Sequence, residues 1–286
     1  MAIRASLSST NSVRRKLALV IGIGDYDKGK KVPNAINDAR EMSSALKRIG
    51  FIIHENGPQL NLTYRTLSGA LNAFKQSINV GDMVLFYFAG HGKQWEDQNY
   101  LIPCDNFKED DKRKVELSGA DLASHAINAQ HFLMDITSQN PFVIIFFLDC
   151  CRTYHLRNEH LTRIAGDEQD NHSRRLKSTS ANVGPVIGNA RSINANTRPM
   201  IANAGYVIAF ACAPGTTADD GKERETNGLF TKHILKHILK PNEDIQMMLT
   251  DVTNGVVEES ESTQIPHITC SLRHRNIYLY EQVTGK

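Results

Sequence analysis

Residues Pro141 to Arg152 read Pro-Phe-Val-Ile-Ile-Phe-Phe-Leu-Asp-Cys-Cys-Arg, and this stretch decides the fold. A continuous apolar run rich in β-branched and aromatic residues, opened by Asn-Pro, reads as a strand buried on both faces, as in a parallel sheet. It stops abruptly at an acid, two thiols and a guanidinium. In open parallel sheets ligands bind just beyond the carboxyl ends of the strands. Asp149, Cys150, Cys151 and Arg152 therefore stand where chemistry would be placed.

A second stretch has the same shape. Asp82 to Gly92 reads Asp-Met-Val-Leu-Phe-Tyr-Phe-Ala-Gly-His-Gly, an apolar run that ends at His91 between two glycines. Two buried strands presenting a His and a Cys at one edge suggest a thiol–imidazole pair. The remaining pattern fits around them. Lys16 to Ile23 is a buried strand, Asn34 to Ile49 a helix closed by Gly50, Phe51 to His54 a short strand, and Thr63 to Ile78 a second helix. This β-α-β-α-β order predicts parallel strands with helices on both faces.

After His91, Tyr100 to Pro103 reads as a short strand and Phe107 to Lys114 as a charged surface loop. Ala120 to Ile127 and Gln130 to Thr137 read as helices returning to the Phe142 strand. From Arg157 to Arg198 apolar periodicity nearly vanishes, as in a connector. Tyr206 to Cys212 is a further buried strand, Gly228 to Leu239 and Asp244 to Val257 are helices, and Arg275 to Tyr280 is the last strand.

The chain of 286 residues is 41% hydrophobic and 22% charged, ordinary for a globular protein. Its formal net charge of +2 is too small to imply nucleic acid, and aromatics do not interleave with basic clusters. The longest apolar run, Phe142 to Leu148, is too short to span a bilayer. Residues 1–15 read as a polar tail rather than a secretory signal. The cysteines Cys104, Cys150, Cys151, Cys212 and Cys270 are odd in number and scattered, which points to a reducing compartment, the cytoplasm. Gly22 and Gly24 imitate a dinucleotide fingerprint, but Asp27 holds the third glycine position and no helix follows directly.

A thiol needs a base, because the thiolate is the nucleophile. His91 could take the proton and return it to a leaving amine. Cys150 and Cys151 compete for the nucleophile's role. Cys151 is two positions past Asp149, so alternation puts that pair on one side and turns Cys150 toward the core. The N–H groups of Gly92 and Cys151 could hold an oxyanion. His233 and His237 have metal-ligand spacing on a helix, but without an evident third ligand they read as an ordinary polar face.

Phe88-Ala-Gly-His-Gly92 and Leu148-Asp-Cys-Cys-Arg152 together resemble the caspase-like cysteine peptidases, specifically the paracaspase and metacaspase branch. Ile36 to Ala39, Ala211 to Gly221, Asn227 to Thr231 and Gln264 to Pro266 join the resemblance, which runs from Lys16 to Tyr280. It implies a three-layer α/β/α sandwich around a mostly parallel six-stranded sheet. It implies a large-subunit region at 16–156, a polar connector at 157–199 and a small-subunit region at 200–286 of one domain. The family's dyad falls on His91 and Cys151. True caspases carry Arg and Gln where this chain has Asp38 and Asp149, so the pocket's sign is inverted. The resemblance therefore implies an endopeptidase cutting protein or peptide substrates after Arg or Lys, with Asp38 and Asp149 binding that side chain and Asp220, or less surely Asp219, as a third acid.

Such an enzyme could cut its own connector, which holds Arg163, Arg174, Arg175, Lys177, Arg191 and Arg198. No cofactor is required. Metacaspases often need calcium, so calcium activation stays open, although Glu109 to Asp111 and Asp167 to Asp170 lack the glycine-turned spacing of a calcium loop. The Ile277 to Tyr280 strand could pair with its copy in a homodimer, or be covered in a monomer. The rival readings are a catalytically silent caspase-like scaffold and a nucleotide-binding domain, the latter disfavoured by the broken glycine pattern.

Overall fold

A computed structural model describes residues 14–111, 113–154, 204–221 and 225–282. Strand β1 (Lys16–Gly22) leads to helix α1 (Asn34–Arg48), short strands β2 (Ile52–Ile53) and β3 (Gln59–Leu60), helix α2 (Tyr64–Ser77) and strand β4 (Met83–Ala89). Next come β5 (Gly92–Trp95), β6 (Gln98–Leu101), β7 (Phe107–Asp110), β8 (Arg113–Glu116), α3 (Gly119–His125), β9 (Ile127–Asn128) and α4 (Ala129–Thr137). Strands β10 (Val143–Asp149), β11 (Thr153–Tyr154) and β12 (Gly205–Phe210) follow, then α5 (Leu229–His237), α6 (Ile245–Glu259) and β13 (His267–Ser271).

The main sheet runs β13-β12-β10-β4-β1-β2, with β3 also paired to β1. All its pairings are parallel except β12 with β13. The expected sheet of six strands is thus one of seven, because the two-residue β3 joins β1 beside β2. Side chains alternate between two cores. Val143, Ile145 and Phe147 of β10 pack with α1, α5 and α6 on one face. Ile144, Phe146 and Leu148 pack with α2, α3 and α4 on the other. The result is the expected α/β/α sandwich, and β4 and β10 are buried along their whole length at its centre.

Two expected elements are corrected. The charged segment at 107–114 is not a loop but the start of a hairpin, β7 with β8. Glu109 lies opposite Lys114 and Asp110 opposite Arg113, and opposite charges across a ladder stabilise it. Asp111 takes the left-handed turn position (φ 44°), which Asp tolerates. The segment Ile277 to Tyr280 is not the last strand. Its apolar alternation buries Ile277 and Leu279 in the core from an irregular stretch. Its carbonyls accept N–H groups from the loop before α6 and from the first residue of that helix: Asn242 donates to Tyr280 O and Ile245 to Ile277 O. One edge of the sheet is β13, exposed at all five residues.

Three of the sequence regions read above, 1–13, the 157–199 connector and the acidic run at 167–170, lie outside the described residues.

Candidate active site

The central strands bring the His and the Cys together by register. β4 and β10 are parallel neighbours, and Asp149 pairs with Ala89. His91 and Cys151 each stand two residues beyond that matched pair, on strands whose spacing is about 4.8 Å. Both line one cavity of about 330 Å³ with Asp38, Asp149 and Asp220. A backbone bond from Gly90 N–H to Asp149 O (3.1 Å) ties the two strand ends together. The turn at Gly92 is packed so closely that a Cβ there would lie 2.5 Å from Cys151 O and 2.6 Å from Cys150 Sγ. Only glycine permits that approach.

His91 is held on two sides. Its backbone N–H donates to the buried Tyr26 hydroxyl (2.7 Å), whose ring lies 4.3 Å from the imidazole. Its Nε2 lies 2.6 Å from the Lys30 carbonyl. A carbonyl only accepts, so Nε2 carries the proton and Nδ1 keeps the lone pair. Burial pushes the His91 pKa below its ordinary value, against the bond to Lys30. The imidazole is therefore neutral at pH 7.

Cys151 is half-buried, and the Ala218 N–H donates to its Sγ at 3.4 Å. Burial raises its pKa. The Ala218 bond opposes that rise, while the nearby charges of Asp149 and Asp220 add to it. Cys150 is 4% exposed and joins the core against α2 and α4, as the alternation reading expects. The loop that supplies Ala218 is anchored by Gln264. Its Oε1 accepts from Asp219 N–H (2.7 Å) and its Nε2 donates to Ala211 O (2.9 Å).

The acids form the floor. Asp38 from α1 is 2% exposed and accepts from Asn227 Nδ2 (2.9 Å) and Gly228 N–H (3.1 Å). Asp149 is 8% exposed, and its Oδ2 accepts from Thr231 Oγ1 (2.6 Å) and Thr231 N–H (3.2 Å). Thr231 Oγ1 lies 2.6 Å from the buried Tyr87 hydroxyl. Gly228 sits between the two carboxylates. A Cβ there would be 3.1 Å from Asp149 Oδ2 and 3.2 Å from Asp38 Oδ2. Burial, then the charge of Asp149, pushes Asp38 up to about 8. Burial pushes Asp149 up to about 6 against its bonds to Thr231. Asp220 is also raised, by burial, with Lys30 opposing. Asp219 also lines the cavity; it is exposed, and its Oδ1 accepts from Gly221 N–H (2.9 Å).

Sequence reasoning missed the partners of these acids. Asn227, Gly228 and Thr231 entered only as a matched motif, and Tyr26, Lys30 and Tyr87 gave no signal. Glu109 and Asp110, part of the acidic run noted in the sequence, fall opposite Lys114 and Arg113 in the register of the hairpin.

The family model for the caspase domain (Peptidase C14) matches residues 15–277, so the chain belongs to the caspase-like family. Membership supports a cysteine-peptidase type of function. Human mucosa-associated lymphoid tissue lymphoma translocation protein 1 is 23% identical over 137 residues, which is 48% of this chain and 15% of that protein. The chain therefore matches only a small part of that relative. Among solved structures, caspase-1 from Spodoptera frugiperda aligns with a TM-score of 0.60 at 15% identity, covering 99% of this chain and 98% of that one. Protein GSU0716 from Geobacter sulfurreducens aligns at 0.57 and 13% identity, covering 94% and 97%. These two likenesses speak for the fold alone. Among the described residues no helix is long and apolar enough to cross a membrane.

Proposed function

We propose that the chain is a cysteine endopeptidase that cleaves after Arg or Lys, as the paracaspase and metacaspase branch does. One observation carries the specificity. Two buried carboxylates, Asp38 and Asp149, converge on the gap at Gly228 inside the cavity that His91 and Cys151 line. Burying two like charges side by side is costly unless a cation joins them. A guanidinium or ammonium entering the gap supplies that cation through charge-assisted bonds. Asp220, less buried than the other two, adds a third acid to the same cavity.

The chemistry follows from the same groups. His91 Nδ1 takes the Cys151 proton as Sγ attacks the scissile carbonyl carbon. The N–H groups of Gly92 and Cys151 hold the oxygen that becomes negative. His91 then returns the proton to the leaving amine, and the acyl-enzyme forms. In the second half His91 draws a proton from water, whose oxygen attacks the acyl carbon, and the thiol is regenerated. A cationic side chain in the pocket also helps the first step. It offsets the Asp149 and Asp220 charges that hold the Cys151 pKa up, so substrate binding itself favours the thiolate. The same chemistry applied to the arginines at 157–199 would give self-processing.

Turnover of peptides differing only in the residue before the reporter tests the reading. Arg and Lys peptides should be cleaved and an Asp peptide left intact. Preference for Asp would overturn the pocket assignment. A folded protein that cleaves none of the three would favour the scaffold reading.

A further inference from the structure

Helix α5 carries two buried histidines a turn apart, each with an unpartnered Nδ1, and only His233 has an acid within hydrogen-bond reach of its other nitrogen. His233 Nε2 faces Glu259 Oε2 at 2.9 Å. His237 is 9% exposed, and its Nδ1 has no hydrogen-bond partner. The facing acid is Asp251 of α6, with Oδ2 3.6 Å away, beyond hydrogen-bond reach. Glu243, from the loop between α5 and α6, buries its Oε2, which is also unpartnered. One donor atom from each of His237, Glu243 and Asp251 lies within 4.8 Å of the other two. A nitrogen and a carboxylate oxygen left unpaired in one small space, beside a second carboxylate, is the donor pattern of a cation site.

We propose that His237, Glu243 and Asp251 bind a divalent transition-metal ion of the zinc type. The donor set is one imidazole and two carboxylates. Imidazole favours first-row transition ions, whereas calcium and magnesium take oxygen donors. Tetrahedral zinc with bonds near 2.0–2.2 Å places its ligand atoms about 3.4 Å apart. The 3.6 Å between His237 Nδ1 and Asp251 Oδ2 is already close to that edge.

Lys240 is the built-in competitor. Its ammonium contacts Glu243 Oε1 (3.5 Å) and Asp251 Oδ2 (3.2 Å), leaving Glu243 Oε2 to the ion. Its side chain is 45% exposed and can swing into solvent when an ion arrives. The site joins the last turn of α5 to the middle of α6. It is separate from the cavity, whose acid Asp149 is held by Thr231 at the other end of α5. The sequence hid it because two of its three ligands meet His237 only through helix packing.

The test is calorimetric titration of Zn2+ into the whole chain carrying Cys151→Ala, which keeps the nucleophilic thiol from taking metal. One saturable zinc site is expected, absent for Ca2+ and Mg2+. Asp251→Asn and His237→Gln should each remove it, and Lys240→Met should tighten it by about tenfold through loss of the competing charge. Should His237→Gln fail to fold, the half-exposed Asp251 carries the same test. Zinc stoichiometry unchanged in Asp251→Asn, or no saturable uptake by the parent chain, overturns the site.

Discussion

Asp149→Asn should make the protein more stable and a poorer arginine peptidase at once. The fold loses little, because an amide oxygen can still accept from Thr231 Oγ1 and N–H as Oδ2 does now. What disappears is a buried charge. The carboxyl titrates at about 6 in the fold against an ordinary value of 3.8, because burial disfavours its ionised form. At 1.36 kcal/mol per unit, that difference is on the order of 3 kcal/mol. The sign follows from proton binding. A folded pKa above the unfolded one means the native state holds the proton longer. This stabilising contribution is complete below pH 3.8 and is lost as pH rises through about 6. The Asn variant escapes the loss, so its advantage should be near zero at pH 4 and largest above pH 7.

Urea unfolding at several pH values measures this stability directly. Activity should move the other way. Losing one charge-assisted bond to the substrate cation costs about 1.5–3 kcal/mol, roughly 10- to 150-fold in kcat/KM, expressed mainly in KM. A variant less stable than wild type above pH 7 would mean that Asp149 is paired in the resting protein, and the open cation pocket would fail.

The choice of thiol is checked by the two alanine variants. Cys151→Ala should abolish turnover of an arginine peptide, while Cys150→Ala should keep most of it and lose stability through a cavity of about one thiol in the core. Gly92→Ala should fold poorly or lose activity by a hundredfold or more, because its Cβ would displace Cys151 O and Cys150 Sγ; thermal unfolding and turnover report both. The acid limb of kcat at saturating arginine peptide, where the bound cation keeps Asp38 and Asp149 ionised, should lie below the ordinary histidine range, since burial lowers the His91 pKa and the base stays neutral to lower pH. An acid limb above that range would remove His91 as the buried general base.

The sequence read well where one element carried its own signal. The strands ending at Asp149 and Ala89 announced themselves by unbroken apolar runs, and their polar ends located His91 and Cys151. Alternation alone sent Cys150 to the core and Cys151 to the cavity. Asp38 was harder, because a single acid on a helix face has the same local pattern whether exposed or buried. Its burial depends on how α1 packs against the segment at 227–228. The last strand was misplaced for a related reason. Ile277 and Leu279 alternate as strand residues do, yet they bury from a loop, while the exposed β13 has no apolar pattern to betray it. The 107–116 hairpin was hidden by its charges, which only become an argument for a strand once their cross-strand partners are known.

The most direct measurement is covalent. A thiol-alkylating peptide probe ending in Arg is incubated with the protein beside an otherwise identical probe ending in Asp, and the modified residue is mapped by mass spectrometry. Rapid labelling of Cys151 by the Arg probe alone, lost in His91→Ala and slowed in Asp149→Asn, is the expected result. Equal labelling by both probes, or an adduct on Cys150, Cys104 or Cys270 with Cys151 untouched, would contradict the assignment of a basic-residue peptidase.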